Sequence, residues 1–153
     1  LTRGRNLQDG AFPSGNGTAA MVLLRLGTLT GIKRFAEQGA ILLEKNAAVI
    51  NHYPAELSVS MAAVDILLGP SASLVLVSDN GQPDQMLKTI RNNYQPRIEV
   101  LLKKEGDIKL EQTAPITAGK KMIENRATAW LCRDRSCMKP VTDPDQLNKK
   151  ILE

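Results

Sequence analysis

The sequence predicts a mixed α and α/β fold: a helical hairpin segment followed by a small α/β unit with a βαβ crossover. Three observations carry that prediction. In the first half, Phe35, Gly39, Leu42 and Leu43 recur at helical spacing. A Gly69-Pro70 pair then punctuates the chain. Beyond it, two β-rich runs, 73–77 and 98–102, flank a helical pattern. The expected division is therefore 1–69, helical, and 70–153, α/β.

Composition narrows the function classes. At 153 residues the chain holds one domain, or one small domain and part of another. Aromatic residues are 3% of the chain, so the core must be aliphatic. The net charge is +4, but Lys and Arg are scattered among acids, with no basic run carrying interleaved aromatics. That argues against nucleic acid as a partner. No apolar stretch reaches the roughly 18 residues a membrane span needs, so no membrane partner is expected. Two Cys and one His are too few for a disulfide framework or a standard zinc site. No metal and no cofactor is expected. The first residue is Leu1, so either a leader has been removed or the sequence begins inside a longer protein. The expected location is cytoplasmic.

Residues 1–17 are rich in Gly, Asn and small polar groups and should form a loop. Ser14 and Asn16 precede an apolar run, and either could cap the next helix, with Asn16 the favoured cap. The same Gly-rich loop at a helix N-terminus could line a pocket for an anion or a sugar, although it matches no phosphate-binding pattern. Residues 18–30 are apolar almost all round, which predicts a helix buried between neighbours. Gly31 should end it. A second helix is expected over 33–50, with Phe35, Gly39, Leu42, Leu43, Asn46 and Val49 on one face. The short link makes the two an antiparallel hairpin. His52-Tyr53-Pro54 breaks the pattern, and His52 reads as a surface or capping residue. A third helix should span 55–68, with Leu57, Met61, Val64 and Leu68 as its apolar stripe.

In the second half, 73–77 reads as a buried strand, 78–81 as a turn and 82–94 as a helix with Pro83 at its first position. With the run at 98–102 this gives a βαβ unit with parallel pairing. Residues 103–125 are mixed; Gly106-Asp107 suggests a turn, and Ile108 with Leu110 a brief edge strand. Residues 127–132 form a third strand candidate. Asp143, Pro144 and Gln146 mark a capped helix start, with Leu147, Ile151 and Leu152 as its buried side. Trp130 is expected in the core or at an interface.

Cys132 and Cys137 are spaced C-x4-C, unlike the C-x-x-C of thioredoxin-type sites. Three readings stand open: two reduced structural cysteines, a local disulfide closing the loop, or a redox pair whose thiol pKa is lowered by Arg133 and Arg135.

Three segments carry a family resemblance. They are DGAFPSGNG with AAMVLLRLGTLTG, then AAVDILLGPSASLVLV, then ATAWLCRDRSCMKPVTDPDQL. In this order they resemble the YyaL/spermatogenesis-associated protein family of thioredoxin-domain proteins. The resemblance implies the C-terminal part of a longer protein, in which a thioredoxin-like domain precedes a six-hairpin-glycosidase-like (α/α)6 barrel. It implies that the helical segment is the end of that barrel and the α/β unit an appendage. The expected partner is the N-terminal remainder, and a carbohydrate is the possible ligand. Asp9, Ser14 and Asn16 would line the barrel cavity. Phe12 stands where many relatives carry an acid, which weakens a glycosidase-like role there. In isolation the chain is expected to be a structural and interaction region without activity of its own. The alternatives are a share in a carbohydrate-active cavity and thiol redox chemistry through Cys132 and Cys137.

Overall fold

The computed structural model describes residues 7–133 and 136–152. The chain divides into two compact units, Leu1–Gly69 and Pro70–Glu153. The architecture is mixed α and α/β, with helical segments followed by a sheet that contains a βαβ crossover.

The first unit contains α1 (Gly15–Thr30), α2 (Lys33–Lys45), α3 (Ala47–His52) and α4 (Ser58–Leu68). Ser14, rather than Asn16, is the N-cap of α1: its backbone is extended and its Oγ accepts the Gly17 N–H at 3.3 Å. The reason lies upstream. The Ser14 N–H is taken by Asp9 Oδ1 at 2.7 Å, which holds Ser14 outside the helix. Asn16 therefore falls inside the first turn. Gly31 closes α1 in the left-handed region at φ 71°, and its N–H returns to Gly27 O.

The helices α1 and α2 run antiparallel. A Cβ on Gly27 would meet Ala36, and one on Gly39 would meet Ala20 and Leu24, so the contacts pair in opposite directions. The buried residues of α1 are Gly17, Ala20 and Leu24 only. The expectation of burial on most faces is corrected: Met21, Leu23, Leu26 and Leu29 are half-buried, and Ala19 and Val22 are exposed.

The expected single helix over 33–50 is interrupted at Asn46, whose φ and ψ are −109° and 5°. Its side-chain amide donates to Leu42 O at 2.7 Å. A side chain that bonds the carbonyl four residues back competes with the helix ladder. Ile50, two turns beyond Leu43, stays on the buried face, whereas Val49 lies off it and is exposed. The stripe expected on the third helix is also corrected. That helix starts at Ser58, after a 3-10 turn over Pro54–Glu56. Its inner face is Leu57, Ser60 and Ala63, while Met61 and Leu68 point outward. The small Ser60 and Ala63 let α4 approach α1 closely, with Ser60 against Gly17. Close packing, not hydropathy, decides which face turns in.

The second unit contains β1 (Ala72–Ser78), α5 (Asp84–Arg91), β2 (Ile98–Lys104), α6 (Ile108–Thr113), β3 (Thr128–Arg133), β4 (Ser136–Cys137) and α7 (Pro144–Leu152). The sheet order is β2-β1-β3-β4. β1 pairs parallel with β2, Ala72 opposite Ile98, and antiparallel with β3, Val75 opposite Trp130. All seven residues of β1 are buried, which explains its continuous apolar run. Leu74 and Leu76 of β1 and Ala129 and Leu131 of β3 form a core with Met86 of α5 and Leu147 and Ile151 of α7.

Four local expectations change in this unit. α5 is shorter than 82–94, because Asn80 Oδ1 accepts the Gln82 N–H at 2.8 Å and keeps that stretch as a turn. Pro83 is its N-cap residue rather than its first helical one. Residues 108 and 110 lie in α6, not in an edge strand, because the Asp107 carboxylate caps the Leu110 N–H at 2.9 Å. At the other end, α7 starts where its cap signals place it: Asp143 Oδ1 accepts the Asp145 N–H at 3.0 Å. Leu147 and Ile151 are buried one turn apart, but Leu152 lies off that face and is exposed.

Candidate functional site

Asp9 stands where two helices begin. Its Oδ1 accepts the Ser14 N–H, and its Oδ2 accepts the Val59 N–H at 2.8 Å and the Ser58 hydroxyl at 3.1 Å. The Asp9 N–H in turn donates to Glu56 O at 2.8 Å. One carboxylate thus serves the starts of α1 and α4. Loss of hydration disfavours its charge, but the N–H groups of Ser14 and Val59 and the hydroxyls of Ser14 and Ser58 outweigh that, and its pKa lies below the ordinary value. Ser14 is buried beside it, and Phe12 is 83% exposed. The sequence brings Asp9 and Ser14 together in one motif, and the fold joins them by a direct hydrogen bond.

In the α/β unit Cys132 and Cys137 form a disulfide across the β3–β4 pair, where they stand opposite each other in register. Cys132 is buried and Cys137 exposed. Arg133 donates from Nη2 to Lys150 O at 3.3 Å. Arg135, the other expected influence on a thiol, lies outside the described residues.

A cluster with no signal in the sequence lies between β2, α6 and the segment that follows. Lys103 is 1% exposed, and its Nζ pairs with the Glu111 carboxylate while donating to Thr117 O at 3.1 Å and Lys120 O at 2.7 Å. Three donors meet three acceptors, so the ammonium is satisfied without water. Burial, then the charge of Lys103 beside it, holds the Lys120 amine below its usual range. The alternation of β2 shows which residues share a face with Lys103. Its acceptors come from a segment with no periodic pattern, so nothing in the sequence pointed to them. Trp130 is fixed from the same segment: its indole N–H donates to Lys121 O at 3.0 Å.

Cavities open elsewhere among the described residues. One of about 470 Å³ lies at the carboxyl end of β1, bordered by Ser78, Asn80, Asp84, Arg126 and Thr142. Another, of about 380 Å³, is an apolar groove on the helical unit lined by Leu43, Ala47, Ile50, Met61, Val64 and Leu67. None of Asp9, Ser14 and Asn16 lines either of them. Among the described residues, no group of three His, Cys, Asp or Glu is placed to hold a metal ion. No helix among them is long and apolar enough to cross a membrane.

Together these features define a mixed α and α/β protein with an open apolar groove in its helical unit and a cross-strand disulfide in its α/β unit. No family model and no solved structure matches the chain. The chain is homologous, at a distance, to spermatogenesis-associated protein 20: it is 30% identical to the human and rat proteins and 29% identical to the mouse protein over 148 residues. Each alignment takes in 94% of this chain and 19% of the relative. The chain therefore spans about a fifth of the length of the curated relatives it matches.

Proposed function

We propose that this chain acts as the C-terminal structural and interaction region of a longer protein, with the N-terminal remainder of that protein as its partner. The observation that carries this reading is the apolar groove between α2, α3 and α4. Three of the residues that line it, Met61, Leu67 and Leu68, are exposed, the last of them 79%. A patch of this kind marks a surface meant to be covered. The 19% coverage of the relatives supports the same reading. In it, the helices close an (α/α)-type barrel, and the thioredoxin-like domain implied by the resemblance lies upstream.

The test compares the 153-residue chain with a longer chain that includes the preceding sequence, each carrying Met61→Lys and Leu67→Lys. In the short chain the melting temperature should hardly move, because the positions are open to water. In the longer chain the same changes should lower it by several degrees, since two charges would be forced into an apolar contact. Equal, small shifts in both would sink the proposal.

A further inference from the structure

We propose that the Cys132–Cys137 disulfide is a thiol–disulfide exchange site, opened by a dithiol that attacks the Cys137 sulfur. This goes beyond the structural role above and rests on different residues. Exchange requires a thiolate to reach one sulfur. Cys132 is 2% exposed, whereas Cys137 lies exposed on the two-residue strand β4. The approach is therefore open at one sulfur and closed at the other.

The fold also keeps the pair together without the bond. Past Cys137, the Met138 N–H donates to Leu131 O at 2.9 Å. Ala129 and Val141 exchange two further bonds, at 2.8 and 3.0 Å. These hold the returning segment on β3 whether or not the sulfurs are joined. A five-residue separation closes a very short loop, so the bond restricts the unfolded chain little and is a minor part of stability. Opening and closing can then proceed within the native fold.

A thiolate of the dithiol bonds to Cys137 Sγ, the Cys132–Cys137 bond breaks, and its electron pair leaves on Cys132 Sγ, which takes a proton from water. The second thiol of the dithiol, deprotonated, then attacks its own partner sulfur in the mixed disulfide and expels Cys137 as a thiolate, which is protonated in turn. The dithiol loses two electrons and two protons, and the protein gains two thiols.

The test uses the full 153-residue chain. Excess reduced glutathione, quenched early with acid, should leave its mixed disulfide on Cys137, at least about tenfold over Cys132 by peptide mass spectrometry. Dithiothreitol should carry the reaction through to two thiols while the far-UV circular dichroism stays unchanged. In single variants, Cys137 left free by Cys132→Ser should react with an aromatic disulfide at least about tenfold faster than Cys132 left free by Cys137→Ser. If a variant does not fold, the glutathione mapping on the unsubstituted chain decides alone. An adduct on Cys132, equal rates, or reduction only with loss of the native spectrum would overturn the proposal.

Discussion

Asp9 and Lys103 are the two residues on which the local order of each unit turns, and neither does so through a periodic pattern. The Asp9 carboxylate bonds groups at the N-termini of α1 and α4. Asp9→Ala should cost about 1–2 kcal/mol in urea unfolding, the usual range for a lost helix cap. Its pH dependence has a definite sign. The folded pKa lies below the ordinary 3.8, so the contribution is present above the unfolded value and lost as pH falls through the folded one. The gap between Asp9→Ala and the unsubstituted chain should be constant from neutral pH down to the ordinary 3.8 and close only as pH falls below that. A gap that widened on acidification would contradict the charge-assisted bonds. Lys103→Met removes an ammonium from Glu111 and two carbonyls. It should destabilise the α/β unit by about 2–3 kcal/mol, less than a fully buried ion pair because the Glu111 side chain is 30% exposed. Trp130 is the one Trp in the chain, and its indole is tied to the same segment. Its fluorescence reports that transition, and a midpoint unmoved by Lys103→Met would refute the role given to the ammonium.

At the scale of elements, what could be read in advance was what is encoded locally. β1 is a continuous apolar run because it is buried along its whole length, and α7 announces itself through Asp143 and Pro144. The βαβ order follows from the alternation of such signals. What could not be read depends on partners distant in sequence. Ser14 rather than Asn16 caps α1 because Asp9 holds its N–H. α4 turns Ser60 and Ala63 inward because α1 offers Gly17 there. That the loop caps the next helix can be read from its residues, but the bonds from Asp9 to Ser58 and Val59, about fifty residues on, cannot. The α1–α2 crossing allows a direct check. A Cβ on Gly27 would stand 2.8 Å from Ala36 Cβ and 2.9 Å from Ala36 N. Gly27→Ala gains up to about 1 kcal/mol of helix propensity, yet it must push a backbone away, which costs about 1–3 kcal/mol. The net effect should be destabilising in thermal melts. A stabilised variant would mean that the two helices can separate freely.

For the molecule as a whole, the question is which apolar surface belongs to its own core and which awaits cover. Leu57 is fully buried and packs in the core with Ala20, Leu24, Leu43, Ile50 and Ala63. Met61 and Leu68 lie on the same helical stretch, yet they are 39% and 79% exposed. If the groove is a covered surface in a longer protein, these positions should differ sharply when the 153-residue chain is studied by itself. Leu57→Ala should cost about 2–5 kcal/mol, because it opens a cavity in a packed core. Leu68→Lys should leave stability within about 0.5 kcal/mol, as for other surface substitutions. The same Leu68→Lys change should reduce the binding of an environment-sensitive apolar dye and lower concentration-dependent self-association in sedimentation velocity, since both draw on the open patch. Urea unfolding and sedimentation on the same three proteins separate the possibilities. If Leu68→Lys unfolded the chain as Leu57→Ala does, the groove would be part of the unit's own core. If it left dye binding and association untouched, the patch would not be the surface that seeks a partner.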